Sequence, residues 1–209
     1  RAALYELLAR APQSDDAAAA VALALGPLPP RAPEEPVALG RALNRRGTAV
    51  DARIHVQDAI RRGDSSAATL VFYGELLVAT GRYADAARAY RAAARDSALG
   101  PLAIYRRARV LVRLGDPGAT TALSGFAQTY PADTAAPTAL YVLGEALFDR
   151  GDWSGTARWF GELIARFAEL EPAERGKVPG IKPERGDIIL AGALVVEAVL
   201  EAGGFDALE

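Results

Sequence analysis

The sequence predicts an all-α fold, a solenoid of about four helical hairpins followed by a non-repeat helix. Three observations predict it. Small residues recur in pairs seven apart, at Gly40 and Gly47, Gly74 and Gly81, Ala108 and Gly115, and Gly144 and Gly151. The pairs start 34, 34 and 36 residues apart, the spacing of a stacked helical-repeat protein. A leucine stands three residues after each first small position (Leu43, Leu77, Leu111, Leu147), and two further columns follow the second. One is Ala52, Ala86, Thr120 and Thr156; the other is Ala59, Ala93, Ala127 and Leu163.

Taken in order, residues 1–35 are irregular. AALYELLAR (Ala2 to Arg10) and AAAAVALAL (Ala17 to Leu25) read as two short helices joined through a Ser14-Asp15-Asp16 start signal. GPLPPRAPEEP (Gly26 to Pro36) has five prolines in eleven residues and reads as an extended connector, neither helix nor central strand. Residues 36–167 form the array. In each unit the first small residue lets two antiparallel helices approach and the leucine fills the space between them. The second glycine ends the first helix where a positive φ is needed. An aromatic just past it packs into the turn, as in GRYADAARAY and GDWSGTARWF. The small column of the second helix leaves room for the next unit to stack. Residues 168–209 begin with a loop broken by proline and glycine. They continue as one helix from about Glu184 to Ala202, stopped by Gly203-Gly204. A glycine within a helix costs about 1 kcal/mol against alanine, so Ala191-Gly192-Ala193 predicts close packing there.

The columns resemble the tetratricopeptide repeat, whose unit has the skeleton W-x2-L-G-x2-Y…A-x3-F. The best copies are LVFYGELLVATGRYADAARAY (Leu70 to Tyr90) and LYVLGEALFDRGDWSGTARWF (Leu140 to Phe160). The third unit departs from the skeleton at Arg107, Pro117 and Ser124. The resemblance implies a tetratricopeptide-like helical-hairpin solenoid with a C-terminal non-repeat helix. The phrase from Thr129 to Phe167 is similar to repeats of bacterial envelope proteins, among them the superhelical region of lytic transglycosylases. That likeness implies a periplasmic or cell-envelope address, with the cytoplasm as the alternative.

The closing stretch has a different style and holds both lysines, Lys177 and Lys182. It resembles a segment of the exopolyphosphatase and guanosine pentaphosphate phosphatase family, P-G-[IL]-x-P-x-R-x-D-[IV]-I-x-A-G-A. The matching residues are Pro179, Gly180, Ile181, Pro183, Arg185, Asp187, Ile188, Ile189 and Ala191-Gly192-Ala193; Gly186 stands where alanine is usual. In that family the segment is structural, and the glycine-rich phosphate loops of the catalytic machinery have no counterpart here. No catalytic residue is carried over. The stretch is expected to have an ancestry separate from the array, with three readings open: a cap on the last repeat, a fusion, or an artefactual join of two reading frames near Phe167.

Composition narrows the function classes. Half the residues are apolar, a quarter are charged, and the net charge is −2. This is a folded protein without an electrostatic reason to bind nucleic acid. The absence of cysteine excludes disulfides and thiolate sites, and a single histidine makes a metal centre unexpected, so neither metal nor cofactor is expected. The apolar run Ile188 to Val196 has nine residues, against the roughly 20 that span a bilayer, so membrane insertion is not expected. A chain beginning at Arg1 and lacking methionine is expected to be a processed product or part of a longer protein.

Three local features read as structural. His55 near Asp51 and Asp58 reads as a packed or solvent-facing histidine rather than a base. Gly63-Asp64-Ser65-Ser66 reads as a loop and helix start, and the doublets Arg45-Arg46 and Arg106-Arg107 as solvated faces. The candidate site comes from the first helix of each unit, which in this repeat class lines the concave surface. Register places Arg41, Asn44 and Arg45 there, then Glu75, then Tyr105, Arg109 and Arg113, then Tyr141, Glu145 and Phe148. Arginines and asparagine beside tyrosines suit an acidic or C-terminal peptide. The expected function is a protein-interaction scaffold without chemistry of its own. The alternative is a fragment of a phosphatase-like hydrolase or of a lytic transglycosylase, without the catalytic motifs.

Overall fold

A computed structural model describes residues 34–170, 172–175 and eight positions between 191 and 203. Among these, every regular element is a helix: α1 (Glu34–Arg45), α2 (Ala49–Arg61), α3 (Ala67–Ala79), α4 (Tyr83–Ala93), α5 (Gly100–Arg113), α6 (Ala119–Thr129), α7 (Ala136–Phe148), α8 (Trp153–Ala168) and the single turn α9 (Pro172–Arg175). The chain divides into two compact units, Arg1–Ala103 and Ile104–Glu209. The helices read at Ala2 to Arg10 and Ala17 to Leu25, and the phosphatase-like motif from Pro179 to Ile189, lie outside the described residues.

The hairpin turns repeat one hydrogen-bond pattern. Gly47, Gly81, Gly115 and Gly151 all have φ between 64° and 80°, as the column predicts. Each donates its N–H three residues back, and the next residue donates five back, to the carbonyl of Leu43, Leu77, Leu111 or Leu147 at 2.8–3.1 Å. This is the Schellman arrangement, which satisfies carbonyls that the helix end would leave open. The leucine column therefore fills the hairpin with its side chain and closes the turn with its backbone.

In the first unit, α1 pairs with α2, α2 packs on α3, and α3 pairs with α4. Ala52, Val56 and Leu76 form a buried cluster there, which seats the small column of one hairpin against the next. In the second unit, α6 packs on α7 and α7 pairs with α8. The core runs through Ala108, Leu123, Phe126, Leu140, Leu143, Leu147, Trp159, Phe160, Leu163 and Phe167. Arg175 Nε donates to the carbonyls of Phe167 and Leu170 at 3.0 and 3.1 Å and pins α9 to the end of α8.

Three expectations need correction. Helix α1 starts at Glu34, so Pro36 is helical and buried rather than part of an extended connector. Proline is tolerated in a first helical turn, where its missing N–H has no partner to lose. The doublet Arg106-Arg107 is half-buried, with Arg107 Nε fully covered, rather than a solvated face. At the closing helix, Ala191 and Gly192 are exposed and, among the described residues, a Cβ built on Gly192 meets nothing within 4 Å, so the predicted close packing has no described partner. The helix does stop where glycine predicts, with Gly203 N–H donating to the Val199 carbonyl at 3.0 Å.

Candidate functional site

In the first unit α1 and α3 border one open cleft of about 340 Å3, lined by Arg41, Ala68, Val71, Phe72, Glu75 and Leu99. Four of these residues, Ala68, Val71, Phe72 and Glu75, follow the i, i+3, i+4, i+7 spacing of a single helical face on α3. The Arg41 guanidinium lies over the Phe72 ring at 5.6 Å from its centroid, so its cation is held at the cleft by an aromatic face. Arg41 is also close enough to Asp64 to help lower that carboxyl's pKa. Glu75 brings an opposite charge to the same cleft. Such a pocket offers an apolar floor, one fixed cation and one carboxylate.

The remaining predicted residues divide by exposure. Asn44 and Arg45 are exposed at the end of α1 and do not line the cleft. In the second unit Tyr105 is buried, its ring 5.3 Å from Phe126, with burial pushing the phenol pKa up. Arg109 is exposed and lies over the Tyr105 ring at 5.7 Å, and Arg113 is exposed in the last turn of α5. Tyr141 donates its hydroxyl to Glu145 Oε1 at 2.7 Å, which together with burial raises the phenol pKa to about 12. Phe148 is exposed and meets Trp153 edge-on at 5.1 Å. The structure thus brings together Arg41 with Glu75, Tyr105 with Arg109, and Tyr141 with Glu145.

The cleft's floor was missed from sequence. Reading all of α3 in register, instead of only its charged position Glu75, points to Ala68, Val71 and Phe72. His55 is half-buried on α2, and burial lowers its pKa below 6.5 against the opposing pull of Asp51 and Asp58. Among the described residues no group of three or more histidine, aspartate or glutamate side chains is placed to hold a metal ion, and no helix is long and apolar enough to cross a membrane.

No protein-family model and no curated protein matches this chain. Solved structures do. A crystal structure of MamA is 19% identical over 73% of this chain and 87% of its own, with a TM-score of 0.61. A tetratricopeptide repeat protein from Parabacteroides merdae is 15% identical over 90% of this chain and 71% of its own, with a TM-score of 0.59. PilF of Pseudomonas aeruginosa is 16% identical over 93% and 90%, with a TM-score of 0.58. The fold is tetratricopeptide-like. The Arg41–Glu75 cleft lies between the first helices of two successive hairpins. At these identities the likeness speaks for the fold and not for a partner.

Proposed function

We propose that this chain is a protein-interaction scaffold whose tetratricopeptide-like array binds a peptide segment of a partner protein and performs no chemistry itself. The observation that carries the reading is the cleft between α1 and α3. It holds Arg41 over Phe72 beside an apolar floor, with Glu75 at the same opening. A peptide presenting a carboxylate to Arg41 and an aliphatic side chain to Val71, Phe72 and Leu99 satisfies both kinds of surface. Outside the cleft, exposed Arg45 adds a second cation and Asn44 a neutral amide at the end of α1.

Selection from a displayed peptide library, followed by calorimetry on the enriched peptides, tests this. Enrichment of an acidic residue beside an aliphatic one is expected. Replacing Arg41 with alanine should weaken such a peptide about tenfold or more, the scale of a lost charged contact. Binding indifferent to both Arg41→Ala and Phe72→Ala would move the site elsewhere. Metal-dependent release of phosphate from polyphosphate by the purified chain would replace the scaffold reading with the hydrolase one.

We also propose a periplasmic or envelope address, supported by the likeness of the phrase from Thr129 to Phe167 to envelope repeats. Fractionation of the native host tests it, and a wholly cytosolic pool would overturn it.

A further inference from the structure

Tyr141, Glu145 and Phe148 stand four and three residues apart on α7, so they share one face of that helix. Tyr141 is 38% exposed, Phe148 is 47% exposed, and Glu145 between them is exposed as well. The equivalent places in the other hairpins are built differently. The leading position there is Val37, Val71 or Tyr105, each buried, and the trailing position is an asparagine or a valine. Of the four first helices, α7 alone carries a carboxylate flanked by two aromatic side chains that reach solvent.

The carboxylate is held but not neutralised. Tyr141 donates its hydroxyl to Glu145 Oε1 at 2.7 Å, and a phenol pKa of about 12 keeps that donor protonated at ordinary pH. Among the described residues no cation pairs with Glu145. Arg109, at the equivalent place on α5, lies over the Tyr105 ring instead. Both flanking rings have neighbours that steady them: Tyr141 lies 6.1 Å from the Phe160 ring, and Phe148 meets Trp153 edge-on at 5.1 Å. An oriented carboxylate between two aromatic rings attracts a cation twice over, through its charge and through the ring faces.

We infer that this face of α7 is a second docking surface, one that takes a basic side chain, arginine or lysine, of a partner peptide. The cation pairs with Glu145, while the aliphatic stem or guanidinium plane lies against Tyr141 and Phe148. Seven residues of helix span about 10 Å, the reach of roughly three residues of extended peptide. The segment it fits is therefore short: a basic residue with an apolar neighbour. The inference rests on the scaffold reading and adds a site of opposite sign to it. The Arg41–Glu75 cleft in Arg1–Ala103 selects an acidic residue, and the α7 face in Ile104–Glu209 selects a basic one.

The test pans a displayed peptide library on the full chain carrying Arg41→Ala, which removes the cation of the first cleft. Enriched sequences are then made as acetylated, amidated peptides, so that only side chains carry charge, and titrated by calorimetry. Peptides with a basic residue beside an apolar one are expected. Glu145→Gln keeps an acceptor for the Tyr141 hydroxyl and should weaken them about tenfold or more, with the helical circular dichroism unchanged. Phe148→Ala leaves the charge in place and should weaken them roughly twofold to fivefold. Basic peptides indifferent to Glu145→Gln would overturn the proposal. So would peptides that respond to Glu145→Gln but not to Phe148→Ala, because charge attraction alone would then explain them. Enrichment on the natural chain of acidic peptides only, lost with Arg41→Ala, would end this proposal and leave the scaffold reading standing. A library that yields no binder to either chain would end both.

Discussion

At the residue scale, the repeat is a rule about pairs sixteen residues apart. Gly40 faces Val56, Gly74 faces Tyr90 and Gly144 faces Phe160, each so closely that an added Cβ would sit within 2.6 Å of the partner side chain. In the third unit the small residue is Ala108, and the residue sixteen on is Ser124. A larger first residue is matched by a smaller second one, which gives a physical account of a departure that looks like noise in the sequence. Gly74→Ala and Gly144→Ala should each cost about 1–3 kcal/mol, the range for overpacking a filled site, in denaturant titrations. Combining Gly74→Ala with Tyr90→Ser should cost less than the sum of the two single changes, since the clash disappears with the ring. Strict additivity would show that the two residues do not share the space. His55 provides a second residue-scale test. Its folded pKa is lowered by burial, so the unfolded chain takes up the proton first as the pH falls. Stability is therefore fully held above pH 6.5 and declines as the pH drops through that value. Thermal melts at about pH 7.5 and about pH 5.5 should show a smaller loss for His55→Gln than for the natural chain. An equal loss in both would assign the slope to other groups.

At the scale of the element, caps decide where helices begin and end. The C-terminal ends were legible because glycine is the residue that takes a positive φ without strain, and its spacing is visible in a bare sequence. The starts were less legible. Helix α3 begins at Ser66, whose hydroxyl accepts from the Thr69 N–H at 3.3 Å, as its loop-and-start reading implies. Asp64 then adds what no spacing rule reveals: its carboxylate accepts from the Ser66 N–H and hydroxyl and from the Thr69 hydroxyl at 2.8–3.0 Å. Burial alone would raise its pKa, but these hydrogen bonds outweigh that and hold it below 3.8. Pro36 sits in the first turn of α1, since the cost of a proline depends on its position within a helix rather than on its presence. Helix α8 begins at an Asp152 cap whose carboxylate accepts from the Gly155 N–H at 2.8 Å, whereas Thr48, Arg82 and Gly118 at the matching starts make no such side-chain cap. Asp152→Ala should lower stability by about 1 kcal/mol in equilibrium unfolding. No change would mean that packing of Trp159, Phe160 and Leu163 alone sets the start of α8.

At the scale of the whole molecule, the register made the candidate surface partly legible. Arg41 and Glu75 do share a cleft, since one helix face repeats every hairpin, but exposure does not follow register. Tyr105 is buried and Tyr141 open at equivalent positions, because burial depends on what lies against a face and not on where the face occurs in the repeat. The same dependence on neighbours predicts how the chain unfolds. Each hairpin draws its stability from itself and from adjacent hairpins, so a local lesion need not spread through the array. Both tryptophans, Trp153 and Trp159, lie in the unit Ile104–Glu209, so their fluorescence reports that unit, while far-ultraviolet circular dichroism reports helices in both. Gly74→Ala, a change within Arg1–Ala103, should shift the circular-dichroism midpoint in denaturant more than the tryptophan midpoint. Gly144→Ala should move the tryptophan midpoint at least as much as the other signal. Coincident shifts of both probes in both variants would mean that the array unfolds as one cooperative block, and the two units would then be a feature of contact density rather than of stability.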